Sequence, residues 1–153
     1  MADIDLKTLK KLRDETSASI ADCRKALDES NGDYKKALAW LQERAAKIAE
    51  KKADRQTGQG LIEAYIHGAG RVGVLVELLC ETDFVARTDE FKHLAKEIGM
   101  QVAAMKPENV DSLLKQEYIR DSSRTIEALI KDVIGKLGEN ITLKRFQRFE
   151  IGE

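Results

Sequence analysis

The hydrophobic period of this chain changes once, near residue 55, and that change narrows the folds open to it. Before it, apolar residues recur every three or four positions, as on amphipathic helices. After it, residues 61–67 and 71–80 are rich in branched side chains and read as strands. Between them Gly68-Ala69-Gly70 supplies hairpin turn chemistry. A helical unit leading into a sheet predicts an α+β molecule.

Three short helices are expected in the first segment. The first has Asp5 as N-cap, Ile4 and Leu9 as a hydrophobic staple, and Leu6, Leu9 and Leu12 on one side. The second is capped by Ser19, turns Ile20, Cys23 and Leu27 inward, and stops at Asn31-Gly32. The third opens at Asp33 and buries Tyr34, Ala37, Leu38, Leu41, Ala45 and Ile48, fading beyond Ala49 into a solvated extension. A unit this small has a thin core and is expected to be marginal alone.

The helical period returns near Thr88 with Phe91, Leu94, Ala95, Ile98, Val102 and Met105 on one stripe, and Pro107 ends it. Residues 108–121 carry the weakest pattern, with one short helix expected around Val110–Lys115. A helix capped by Ser122 or Ser123 then carries Ile126, Leu129, Ile130, Val133, Ile134 and Leu137, and Gly138 stops it. In the final strand, residues 141–151, Ile141, Leu143, Phe149 and Ile151 share one face. Phe146 falls on the other, so the strand is either bulged or buried on both sides. The core predicted is two or three helices on a three-stranded, mainly antiparallel sheet.

Composition excludes several function classes. The 153 residues carry 26 Lys and Arg against 27 Asp and Glu, so no global field draws nucleic acid or a membrane surface. No apolar run approaches the roughly 20 residues of a membrane span. The first residues lack the basic-then-apolar pattern of a secretory signal, and Cys23 and Cys80 fall in apolar patterns as inert thiols. A reduced, cytoplasmic setting is expected.

No catalytic, cofactor-binding or metal-binding set emerges. Residues 68–73 match G-x-G-x-x-G, but a dinucleotide fingerprint needs those glycines between a strand and a helix, and here they lead into a strand. His67 and His93 are near neither cysteine in sequence, and no C-x-x-C or H-E-x-x-H spacing suggests zinc. Residues 144–149 interleave basic and aromatic side chains, as single-strand nucleic-acid platforms do. A solvated strand edge explains the same pattern, and the neutral net charge favours it.

Thr82-Asp83-Phe84-Val85 is the exception. It stands between the apolar strand and the helix at Thr88, where turn chemistry would favour Gly, Asn or Ser. Either Phe84 packs into the core while Asp83 caps the turn, or the pair projects as an apolar wedge beside a carboxylate. A projecting aromatic makes a good interface anchor.

Two stretches resemble elongation factor Ts, the exchange-factor family of the translation GTPase EF-Tu. One is residues 12–27, with Ser17 and Ser19 where the family usually has glycine and Arg24 for a common lysine. The other is residues 77–87, which carries Thr82-Asp83-Phe84-Val85 and departs mainly at Leu79, usually asparagine. Segments 65–67 with 71–77, and 134–141 with 145–150, are also similar. The resemblance implies that residues 1–54 form a three-helix module like a ubiquitin-associated domain, which docks on the GTPase with Leu12 and Arg13 as candidate contacts. Residues 55–153 would form a core of the family's dimerisation type, shortened around 106–121, where longer members carry an extra helical stretch. It further implies a non-enzymatic guanine-nucleotide exchange factor, in which Asp83 and Phe84 enter the GTPase near its magnesium site and GDP leaves. A homodimer is possible on the same basis. Without the resemblance, an interaction adaptor built on the helical module is the alternative.

Overall fold

The computed structural model describes residues 3–153. Its elements run α1 (Leu6–Thr16), α2 (Ile20–Glu29), α3 (Tyr34–Lys52), β1 (Gln59–His67), β2 (Val72–Cys80) and α4 (Asp83–Ala86). They continue α5 (Asp89–Met105), α6 (Val110–Lys115), β3 (Glu117–Tyr118), β4 (Asp121–Thr125), α7 (Ile126–Leu137) and β5 (Ile141–Glu150). The chain is α+β, with a helical N-terminal unit and helices against an antiparallel sheet of order β1-β2-β5.

Each N-terminal helix starts at an acid or hydroxyl that satisfies free amides. The Asp5 carboxylate accepts from Lys7 and Thr8, Ser19 from Asp22, and Asp33 from Lys36. Leu12, Cys23, Ala26, Leu27, Ala37 and Leu41 form the core of this unit, with Ile4 and Leu9 packed at its margin. Leu6 and Ile20, expected inward, are exposed. Both stand at the first residue of a helix, where the stripe has no neighbouring element to cover it.

Helix α3 does more than complete that unit. Its first half closes the small core through Ala37 and Leu41, whereas Ala49 belongs to the main core. Ala45 lies so near α7 that a Cβ built on Gly135 would sit 2.7 Å from the Ala45 Cβ. Beyond Ala49 the helix runs largely exposed to Lys52, as expected, but its packing on α7 before that point was not anticipated. Its second half packs on α7, and the apolar residues that do so are alanines, which mark no strong stripe.

Strand β2 lies at the sheet's centre and turns Val74, Val76, Leu78 and Cys80 into the main core, all at 1% exposure or less. Burial of each such side chain contributes roughly 1.5–3 kcal/mol. From α5, Phe91, Leu94, Ile98 and Val102 meet this face, and from α7 come Ile126, Ile130, Val133 and Ile134. Met105, expected on the α5 stripe, is exposed at the helix end, where Lys106 takes a left-handed φ of 48° before Pro107. The hairpin turns through Gly68, Ala69 and Gly70, all at positive φ, and Gly73 lies inside β2. The G-x-G-x-x-G run is thus a turn and a strand, facing no helix N-terminus.

Of the two alternatives for the last strand the bulged one holds, while the placement of Phe149 and Ile151, the α7 cap and the segment before it differ from expectation. Strand β5 is bulged opposite Glu77 and Leu78, so Phe146 packs against the core while Phe149 and Ile151 point to solvent. The α7 cap is Thr125, whose hydroxyl accepts from the Ala128 amide, and Ser123 lies in β4. The short β3–β4 pair was not anticipated. It is pinned to α5 by the buried Glu97 carboxylate, which accepts from the Tyr118 hydroxyl and from Arg120 Nε at 2.7 Å. Burial and this carboxylate both push the Tyr118 phenol upward.

Candidate functional site

The site begins where β2 ends. Cys80 is buried, and burial raises its thiol pKa above the ordinary value, with the Glu139 carboxylate adding to the effect. Thr82 then takes extended geometry, and its hydroxyl accepts from the Val85 amide at 3.3 Å, capping the single turn α4. Six residues on, Thr88 caps α5 through the Phe91 amide and donates its own hydroxyl to the Val85 carbonyl at 2.7 Å. Two caps this close allow only one turn of helix between them.

That turn has two sides. Val85 and Ala86 face the core and are buried. Phe84 faces outward with 78% of its surface exposed, beside Asp83. The Asp83 carboxylate accepts from Arg87 at 2.9 Å, and both side chains are largely exposed. Sequence reasoning left two placements open for Phe84, and the structure shows the projecting one. Val85, grouped with the wedge, serves as its buried anchor.

The base of the wedge is held by side chains that sequence reasoning did not single out. Glu139, just past the α7 stop, accepts from the Thr82 amide at 2.9 Å and from the Thr82 hydroxyl at 2.7 Å. Glu81 returns the arrangement by accepting from the Asn140 amide at 2.8 Å. Asn140 is buried and donates to the Ala53 and Arg55 carbonyls, tying in the chain beyond α3. Gly138-Glu139-Asn140 is legible as a helix stop followed by turn residues. Nothing local pairs Glu139 with a threonine 57 positions away.

The two α1 candidates separate. Leu12 is fully buried in the N-terminal core and has no surface to offer a partner, which corrects its expected place as a contact. Arg13, next to it, is exposed. Helix phase explains the split, since consecutive residues point about 100° apart. Arg148, in the basic-aromatic run, is half committed: it donates to the Ala103 carbonyl and pairs with Glu150 and Glu153. Among the described residues no group of three or more His, Cys, Asp or Glu side chains is placed to hold a metal ion. None of the described helices is long and apolar enough to cross a membrane.

Comparison with known proteins places the chain in a family. The family model for elongation factor TS matches residues 81–153, which begins at the wedge. The chain is similar to an elongation factor Ts of a Picosynechococcus strain, 44% identical over 199 positions, covering 100% of this chain and 91% of that protein. Against an elongation factor Ts of a Thermoanaerobacter strain, identity is 43%, with 98% of this chain and 96% of the relative covered. A chloroplastic elongation factor Ts of Rhodomonas salina is 42% identical over 99% of this chain. An alignment of 199 positions against 153 residues leaves 46 or more filled only by the Picosynechococcus protein, so this chain is a shortened relative. Projecting wedge, sheet scaffold and whole-chain similarity together assign the chain to the elongation factor Ts family of translation elongation factors.

Proposed function

We propose that this chain is a guanine-nucleotide exchange factor for the elongation GTPase EF-Tu, acting without covalent chemistry. The observation that carries the reading is Phe84, exposed on a turn whose other side is buried. Asp83 beside it supplies a carboxylate that can compete with the GTPase's own oxygen ligands for a bound cation. Bound nucleotide owes much of its affinity to magnesium bridging the phosphates and GTPase side chains. A partner that prefers the GTPase without metal or nucleotide must weaken nucleotide binding by the same factor. A thousandfold faster release needs about 4 kcal/mol off the barrier. Two interface anchors worth roughly 2 kcal/mol each reach that figure.

The helical unit, similar to a ubiquitin-associated domain in this reading, would dock on the GTPase with Arg13 as its contact. Thr82 holds the wedge rather than entering the partner, and Val85 supports it from below. The test is release of labelled GDP from purified EF-Tu, with and without the chain. Release accelerated by the chain supports the reading, and an unchanged rate removes it.

A homodimer is the second proposal. The outer sheet face carries Ile62, Ile66, Leu75, Phe149 and Ile151, all exposed, around the Glu77–Arg145 ion pair. Grouped apolar side chains of this kind mark association surfaces. Sedimentation at micromolar concentration should give twice the chain mass, and Phe149→Asp should return it to one. A wild-type chain sedimenting as a monomer would exclude the dimer.

A further inference from the structure

We infer that Glu139 is a positioning residue for the wedge, setting the direction of Phe84 and Asp83 through Thr82. The inference rests on the exchange reading above and names a residue outside the wedge on which its rate depends. Thr82 has one hydroxyl proton, and it donates that proton in a hydrogen bond to the Glu139 carboxylate at 2.7 Å. A lone pair of the same oxygen is thereby turned toward the Val85 amide, which it caps at 3.3 Å. The second Glu139 oxygen holds the Thr82 amide at 2.9 Å. Both rotations that would swing α4 are therefore fixed by one side chain.

The hold is reciprocal. Glu81 accepts from the Asn140 amide, so each strand of this crossing gives an N–H to the other's carboxylate. Glu81 also faces Arg55 at 3.7 Å, and Asn140 donates to the Arg55 carbonyl at 2.9 Å. The wedge is thus braced against the α7–β5 turn and against the segment joining the helical unit to the sheet. Hydrogen bonds to a charged acceptor are the stronger kind and carry direction.

The test compares wild type, Glu139→Ala, Glu139→Gln, Phe84→Ala and the Glu139→Ala, Phe84→Ala pair in the GDP-release assay. Glu139→Ala should slow stimulated release at least about tenfold, since it removes two charge-assisted bonds, each worth about that factor or more. Glu139→Gln keeps an acceptor for the Thr82 amide and should recover much of the rate. Adding Glu139→Ala to Phe84→Ala, which keeps part of the stimulation, should slow release by much less than it does in wild type, which a merely structural role would not produce. Wild-type rates in Glu139→Ala, or full additivity with Phe84→Ala, overturn the inference. Hydrogen exchange at the Thr82 amide separates its failure from failure of the exchange reading. The amide should be protected in wild type and freed in Glu139→Ala whether or not GDP release responds. An amide unprotected in wild type would contradict the clamp outright. If Glu139→Ala melts early, Thr82→Val, which keeps the amide and loses the hydroxyl, carries the rate comparison, and a wild-type rate there also overturns it.

Discussion

A phenylalanine left in water forgoes the roughly 1.5–3 kcal/mol that its burial would contribute. Phe84 does so while Val85 and Ala86, its neighbours on the same turn, are buried. Phe84→Ala should therefore leave the melting temperature almost unchanged, since exposed substitutions usually move stability by no more than about 0.5 kcal/mol. The same change should slow stimulated GDP release about 30-fold, the equivalent of one 2 kcal/mol anchor. Leu12 behaves in the opposite way. Leu12→Ala should cost about 2–5 kcal/mol in urea unfolding, because it empties a fully packed site. Arg13→Ala should be silent in that assay and weaken association with the GTPase. Periodicity made the caps Asp5, Ser19 and Asp33 legible, because each capping bond spans two or three residues. It left Phe84 undecided, because one turn is too short to have a phase.

At the scale of elements, the contact that joins the helical unit to the sheet is the approach of α3 to α7. Gly135→Ala would place a methyl 2.7 Å from the Ala45 Cβ and 2.9 Å from its Cα. Alanine gains up to about 1 kcal/mol over glycine in helix propensity. Here the clash is with backbone and cannot be relieved by rotation, so a net loss of about 1–3 kcal/mol is expected in denaturant unfolding. A more stable variant would show that the two helices separate easily. This contact was hidden in the sequence because alanine and glycine give little hydrophobic signal. The β5 bulge was legible only as a conflict: Phe146 and Phe149 cannot share the inner face with Leu143 in a regular strand. The structure resolves it at Lys144, the residue left without a partner in the β2 register. The β3–β4 pair escaped because its hold on α5 comes from the buried Glu97 and Gln101, residue types that read as solvent-facing.

At the scale of the whole molecule, ion pairs fasten the chain's last residues to the end of α5. Glu150 Oε2 lies 2.8 Å from Lys106 Nζ and 2.9 Å from Arg148 Nη2, contacts that are ionic rather than directional. Lys106 first, and Arg148 next, hold the Glu150 carboxyl down at about 2, below its ordinary 4.5. A depressed carboxyl stabilises the fold in full above its unfolded value, and that contribution is lost as pH falls through about 2. An NMR titration should place the Glu150 midpoint near 2, and Lys106→Ala should move it up toward 4.5. On the proposed exchange function, release depends on the assembled molecule: sheet, brace and wedge would act together on one partner. The most direct test is the release of labelled GDP from EF-Tu with wild type beside the Asp83→Ala, Phe84→Ala double variant, both confirmed folded by their melts. The account predicts rapid release with wild type and a rate near the spontaneous one with the variant. Equal stimulation by both would contradict it.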